Sequence, residues 1–432
     1  MSGWLRESAA VSIALLAFAA GGAQAAEDPM DKALGKALFE RLWVSAPSST
    51  RAADGLGPLF NARACSSCHQ GAGRAPVALK QGNLPPTAGL VLRVGAEQDG
   101  RLIPHVILGG QVQTMAVAGV LPEGQLRVTF DTHSERLADG TAVELRRPRF
   151  TVTGWEGLKD LAWLSPRLAP DLHGVGLLER VPLSRLAALA DPDDLDGDGI
   201  SGAIAIGRYG DEGIAPGHLG WKAGEPDLAH QISAAFRSDI GLSTPLQPEP
   251  WGDCTVAESG CRAAPQGAAP GAVEVDGGVV DLIAIYLRAL PAPRGQAAAP
   301  DAARGATIFA SIGCGACHMP QQPAELAAGK TAWFSPYSDL LLHDMGDGLA
   351  DRTEEDSISQ VPQAREWRTA PLWGLGARVA QPGGANLLHD GRARSMLEAV
   401  LWHGGEAAPA KTRAAELSPA DRAALIAFLE SL

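Results

Sequence analysis

Two short segments carry most of the chemistry that residue type and spacing can announce. Cys65-Ser66-Ser67-Cys68-His69 and Cys314-Gly315-Ala316-Cys317-His318 are both Cys-x-x-Cys-His, the pattern by which a c-type haem is attached. Two thiols at that separation add across the two vinyl groups of one porphyrin. The adjacent histidine then falls beneath the iron as an axial ligand. A thioredoxin-like redox pair or half of a zinc site would also use Cys-x-x-Cys. Neither needs the trailing histidine, and neither predicts two copies so far apart.

The other two cysteines, Cys254 and Cys261, have no histidine after them and enclose a turn-like Thr-Val-Ala-Glu-Ser-Gly stretch. In an oxidising compartment this spacing predicts a loop-closing disulfide, worth on the order of 2–3 kcal/mol; a free redox-active pair is the other reading. The N-terminus points to such a compartment. Arg6 precedes the apolar run Val11–Ala20 and then Ala23-Gln24-Ala25, which reads as a secretory signal over residues 1–25, against the alternative of a buried N-terminal helix. The run is too short to span a bilayer. With no other apolar stretch of membrane length, the mature chain is expected to be periplasmic, without a transmembrane segment.

The elements that must position these groups show partial internal symmetry. Gly35-Lys-Ala-Leu-Phe39 leads into the first motif and Gly305-Ala-Thr-Ile-Phe309 into the second. Downstream, Arg167-Leu-Ala-Pro-Asp-Leu-His-Gly-Val-Gly176 matches Arg368-Thr-Ala-Pro-Leu-Trp-Gly-Leu-Gly376 with a one-residue gap. Such a match reads as a duplication, although Gly- and Pro-rich turns also agree by chance. Val279, Leu282, Ile283, Tyr286, Leu287 and Leu290 share one helical face. Ser418-Pro419 announces a last helix carrying Leu425, Phe428, Leu429 and Leu432 inward. Gln125–Phe130 and Thr141–Leu145 alternate around Ala138-Asp139-Gly140 as a β-hairpin continuing to Val152.

These patterns predict a mainly α protein of two cytochrome c-like haem domains with a small antiparallel β insertion in the first. The divisions are 26–290 for the N-terminal domain, 291–300 for a Pro/Ala linker and 301–432 for the C-terminal domain. Asp194-Leu-Asp196-Gly-Asp198-Gly199 offers oxygens at alternate positions with a turn glycine, as a calcium loop does. The glutamate of an EF-hand is missing at Ala205, so Ca²⁺ on Asp194, Asp196 and Asp198 stands against a metal-free acidic turn.

Composition narrows the partners. The 432 residues are 46% hydrophobic and 20% charged, with a net charge of −13. Neither a disordered chain nor a multi-span membrane protein fits. An acidic surface argues against a nucleic-acid partner and leaves a basic protein partner open.

For a second axial ligand, His403 is the leading candidate. Ser395-Met-Leu-Glu398 caps a helix, and His403 lies two turns along it, beside Trp402 and before Gly404-Gly405. A packed core histidine is the competing reading.

Further runs extend the pattern: Tyr337-Ser-Asp-Leu-Leu-Leu-His343-Asp-Met345-Gly346, Glu366-Trp-Arg-Thr-Ala-Pro371, Leu388-His389-Asp390-Gly391-Arg392 and Leu397-Glu-Ala-Val400. Gly55-Leu-Gly-Pro-Leu-Phe-Asn-Ala62, Gly176-Leu-Leu-Glu179, Asp191-Pro-Asp-Asp and Gly220-Trp-Lys-Ala-Gly224 accompany them. With these motifs the chain resembles the bacterial di-haem cytochrome c peroxidase superfamily, and more closely its di-haem oxidoreductase family.

That resemblance implies a distal ligand of the C-terminal haem fourteen residues after the motif histidine His389, which is His403. The peroxidases typically have methionine there and a related quinone-cofactor-forming enzyme has tyrosine. A histidine should lower the haem potential. Met345 and His343 are the runners-up. The resemblance further implies a peroxidatic N-terminal haem on His69, assisted by a glutamine and a glutamate; Gln111, Gln113 and Glu179 are the candidates. His105 could instead ligate that iron and block peroxide. Trp221, Trp373 and Trp402 are candidates for a place between the haems. The expected function is peroxide reduction at the N-terminal haem, with electrons from a small cytochrome or cupredoxin relayed through the C-terminal haem. A non-catalytic di-haem electron carrier and an enzyme oxidising residues of a partner protein are the alternatives.

Overall fold

The computed structural model describes residues 28–74, 79–85, 88–99, 101–154, 163–208, 213–297, 299–326, 329–352, 362–381 and 386–432. The segment read as a secretory signal lies outside the described residues.

Each Cys-x-x-Cys-His motif is framed by a pair of crossing helices, and two glycines allow the crossings. Helix Pro29–Glu40 starts at Asp28, whose carboxylate accepts from Met30 N, with Pro29 in the first turn. It crosses helix Gly277–Arg288, capped by Asp276. A Cβ on Gly35 would collide with the carbonyl oxygen of Leu282. In the second half, helix Ala302–Ser311 crosses helix Pro419–Ser431, capped by Ser418. There a Cβ on Gly305 would collide with the carbonyl oxygen of Ala424.

The symmetry extends further. Gly176 and Gly376 both lie against the backbone of the closing helix, at Arg288 and Glu430. Gly174 and Gly374 both adopt left-handed conformations, with φ of 77° and 68°, at the starts of short helices Val175–Leu178 and Leu375–Val379. Phe39 packs on Tyr286 at 5.4 Å and Phe309 on Phe428 at 5.2 Å. The matched sequence segments therefore occupy matched places.

The expectation of a mainly α protein is wrong: among the described residues helix makes up 31% and strand 22%, so the fold is mixed α/β. The hairpin is longer than its sequence pattern suggested, pairing Gln125–Arg136 with Ala142–Thr153 in the register Gln125↔Thr153 to Arg136↔Ala142. Gly82–Asn83 adds a third strand. A second three-stranded sheet joins Arg101–Ile103, Leu90–Gln98 and Trp163–Leu168, and short antiparallel pairs occur throughout. Leu90, Leu92 and Val94 alternate with Val91 and Arg93 and are buried, a period-two pattern that drives strand formation. That pattern carries Leu92 and Val94 into a core shared with Leu126, Val128 and Phe150.

The hairpin also reaches the second half of the chain. Leu137 and Leu145 enter the core built around Phe309, Trp402 and Phe428. At its tip, Ala138 N donates to Ala415 O at 3.1 Å and Asp139 pairs with Arg422 at 2.8 Å. Cys254 and Cys261 are joined by a disulfide, as expected. Among the described residues no helix is long and apolar enough to cross a membrane.

Candidate haem sites

Both motifs form the same local structure. Cys65–Cys68 is one helical turn, with His69 N donating to Cys65 O at 3.0 Å. Cys314–Ala316 is a tighter turn, with His318 N donating to Cys314 O at 3.0 Å. The four thiols are unbridged. Burial, with the Asp239 carboxylate nearby, pushes Cys65 and Cys68 up to about 12, and burial pushes Cys314 up to about 11.

The hydrogen bonds of the histidines sort them by what their second nitrogen can do. His69 Nδ1 donates to Pro170 O at 2.9 Å, His318 Nδ1 to Tyr337 O at 3.0 Å and His403 Nδ1 to Ala399 O at 2.7 Å. A carbonyl only accepts, so Nδ1 carries the proton in all three and Nε2 keeps its lone pair for a metal. A backbone carbonyl behind the ring is the usual support of a ligating imidazole. Burial lowers all three basicities, His318 to about 4 with help from the neighbouring His403.

His105 is arranged the other way round. Its Nδ1 accepts from Ile107 N at 3.3 Å and Leu108 N at 3.2 Å, so the ring proton sits on Nε2. His343 is engaged on both sides, by Asp339 Oδ2 at 2.9 Å on Nε2 and Glu406 Oε2 at 2.7 Å on Nδ1. Burial opposes its charge, but contacts with Asp339, Cys317 and Glu406 outweigh that and raise it to about 12. It is an imidazolium with no free lone pair.

His318 and His403 face one another across a cavity of about 420 Å³, lined also by Cys314, Cys317, Met345 and Trp221, a size suited to a cofactor. Their ring centres are 6.4 Å apart. Two imidazoles ligating one metal from opposite sides, each nitrogen about 2 Å from it, need roughly 6 Å between ring centres. The residues present therefore fit a haem with two histidine ligands. His403 sits at the C-cap of helix Met396–Trp402, which Ser395 starts by accepting from Glu398 N at 3.1 Å.

Around the first motif, the glutamines come together and the glutamate does not. Helix Leu228–Ala235 widens into a π turn, Phe236–Ile240, a feature common at functional sites. Ser238 O accepts from Gln111 Nε2 at 3.0 Å and from Gln113 Nε2 at 2.8 Å. Gln111 Nε2 also reaches Asp239 Oδ1 at 2.9 Å. Asp239 O accepts from Asn61 N and Ala62 N, at the start of the segment leading to Cys65. Gln113 Oε1 is taken by Asn61 Nδ2 at 2.8 Å. Gln111 Oε1 is sealed from solvent and has no hydrogen-bond partner among the described residues.

Glu179 instead forms a two-pronged pair with Arg288, at 2.7 and 2.8 Å, and accepts from Leu228 N at 2.9 Å. It braces helices. The carboxyl beside the glutamines is Glu123, which the sequence reading missed. It is 5% exposed, and its side chain accepts from Gln113 N. Burial first, then the neighbouring Glu258, raises it well above the ordinary carboxylate range. A buried carboxyl shifted in this direction is a candidate proton donor. Leu121-Pro-Glu123-Gly reads as an exposed turn, and nothing local in it signals burial.

In the acidic loop, Asp191, Asp194 and Asp196 bring carboxylate oxygens within 4.8 Å of one another, a different trio from the one expected. Asp194 Oδ1 accepts from Gly199 N, Asp196 Oδ1 from Asp198 N and Asp198 Oδ1 from Ile200 N.

Of the tryptophans, Trp221 lines the cavity, while Trp373 packs on Phe334 and Trp402 under Arg392. Three successive carbonyls tie the sites together. Leu168 O accepts from Trp221 Nε1 at 2.7 Å, Ala169 O from Arg74 Nε at 3.1 Å, and Pro170 O from His69.

A search of curated proteins found no match. Among solved structures, a chain of hydrazine synthase from Kuenenia stuttgartiensis, studied under xenon pressure, is similar with 17% identity and a TM-score of 0.26. The match covers 37% of this chain and 57% of that one. At that TM-score it bears on neither fold nor function. The family model described as "Di-haem oxidoreductase, putative peroxidase" matches residues 10–102 and 119–432. The stretch left out carries His105, Gln111 and Gln113. With nearly the whole chain matched, the protein belongs to the di-haem oxidoreductase family.

Proposed function

We propose that the protein reduces hydrogen peroxide, using two covalently attached c-type haems. Cys65, Cys68 and His69 hold the first, and Cys314, Cys317, His318 and His403 hold the second. The observation that carries this reading is the difference between the two histidine environments. His318 has a second imidazole facing it at 6.4 Å with its Nε2 free. His69 has its carbonyl support, while His105, the alternative ligand for that iron, keeps its Nε2 lone pair capped by a proton. A haem ligated on both faces transfers electrons, and one with an open face can take peroxide.

The bound haems supply the redox chemistry. The chain's own groups hold the imidazoles in the ligating tautomer and manage protons. Reduction of one peroxide takes two electrons and two protons and releases two waters. Glu123, whose carboxyl burial shifts well above the ordinary range, is suited to supply a proton, with Gln111 Oε1, unpartnered among the described residues, suited to accept a hydrogen bond. A small cytochrome or cupredoxin would donate the electrons. The N-terminal Arg6 and Val11–Ala20 segment, together with the Cys254–Cys261 disulfide, supports a periplasmic location.

Ferric EPR with a peroxide titration tests the proposal. The expected result is one high-spin and one low-spin signal, with peroxide consumed by the half- or fully reduced protein. Two low-spin signals that peroxide never perturbs would make it an electron carrier.

A further inference from the structure

The cavity between His318 and His403 is lined by a pair of arginines that form no salt bridge among the described residues. Arg74, shortly after the first haem motif, and Arg378, on helix Leu375–Val379, both line it. Neither guanidinium has a salt-bridge partner among the described residues. Arg74 is spent partly on carbonyls, with Nε on Ala169 O at 3.1 Å and Nη1 on Asn386 O at 2.7 Å, and it lies over Trp221 at 5.9 Å. Arg378 Nε is sealed from solvent and meets no acceptor among the described residues. The Asp171 carboxylate acts on both from outside any salt bridge, with its Oδ1 taking His173 N at 2.9 Å and His173 Nδ1 at 2.8 Å.

Two guanidiniums buried within reach of one another repel, and each has lost water. Burial, then the charge of Arg378, lowers Arg74 to about 9. Two arginines lining one cavity, neither with a salt-bridge partner among the described residues, offer a seat for an anion, and a planar fork suits a carboxylate. The cofactor proposed for this cavity brings its own carboxylates.

We propose that Arg74 and Arg378 together seat a propionate carboxylate of the haem attached at Cys314 and Cys317. The seat rests on the reading under Proposed function and adds to it. A residue from the first haem segment completes the site of the second, so one arginine belongs to both. Arg74 and Arg378 are positioning residues that also set the local field. Their positive charges disfavour the more positive ferric state and raise the potential of that haem.

The test uses the holoprotein. Haem content comes first, by intact mass and haemochromogen spectrum, followed by a spectroelectrochemical titration of the low-spin haem in wild type, Arg74→Gln, Arg378→Gln and Arg378→Lys. Both glutamine variants should keep two haems and show a lower midpoint potential, while Arg378→Lys stays close to wild type. The wild-type potential should not respond to added acetate or chloride. Unchanged potentials in both glutamine variants, with haem content intact, would overturn the seat. So would a wild-type potential that follows added acetate and loses that response in Arg378→Gln, since the pair would then hold a free anion. If Arg378→Gln does not fold, Arg74→Gln and Arg378→Lys decide. Wild-type protein lacking both covalent haems would overturn the underlying reading itself, an outcome separable from a failed seat.

Discussion

His403 stands opposite His318 with 6.4 Å between ring centres, and each is fixed through Nδ1 to a backbone carbonyl. The carbonyl holds the Nδ1 proton of each ring, which leaves the lone pair on Nε2 of both.

Replacing His403 by alanine should convert the low-spin ferric signal of the second haem to high-spin, as read by EPR. Peroxide turnover with an external donor should fall by on the order of 10–100-fold. His403→Met should restore a low-spin haem at a higher potential, since the softer thioether favours ferrous iron.

Glu123→Gln should leave both haems in place and slow peroxide reduction by on the order of 10²–10⁴-fold, the usual contribution of a general acid. Burial raises this carboxyl well above its ordinary range, so wild-type activity should fall as pH rises through that raised value. The glutamine variant should lack this alkaline limb. A rate profile against pH on both proteins checks the point.

His343 is a buried imidazolium between Asp339 and Glu406. Removing it leaves two carboxylates without their cation, and His343→Gln should cost about 3–5 kcal/mol near neutral pH. Asp339 and Glu406 on its two nitrogens raise its folded value above the ordinary 6.5. The stabilisation is therefore complete below 6.5 and declines as pH rises toward that raised value. Thermal melts should show the gap between wild type and variant narrowing from pH 6 to pH 10.

Gly305→Ala should destabilise the second half by about 1–3 kcal/mol or more, because the added methyl meets the carbonyl oxygen of Ala424. Gly35→Ala should do the same at Leu282. Alanine is normally the better helix former, so a rise in melting temperature in either variant would contradict the close crossing.

Much of the site was legible because it is local. The thiol spacing, the adjacent histidine and the capped helix ending at His403 are each written within a few residues. The Gly35 and Gly305 leads were legible as a repeat and the disulfide as a spacing, whereas the helix crossings at the two glycines came only from the structure. The strand content was less legible. Leu90–Gln98 alternates visibly, but its partners Arg101–Ile103 and Trp163–Leu168 are set by register across long separations. Glu179 was a candidate through the resemblance, and only Arg288, 109 positions away, shows that it is spent on an ion pair. Glu123 is buried against Gln113, and no residue near it in the chain marks that burial.

On its own, the sequence determined where two porphyrins could be attached and which histidine follows each attachment, since that chemistry depends on covalent spacing along one turn. Only the tertiary structure decided which nitrogen of each histidine is free, that His343 is charged, and that Arg74 shares a cavity with Arg378. Tautomer, ionisation and the company of a buried cation depend on which distant backbone groups and charges fold against a side chain, and no spacing rule encodes them.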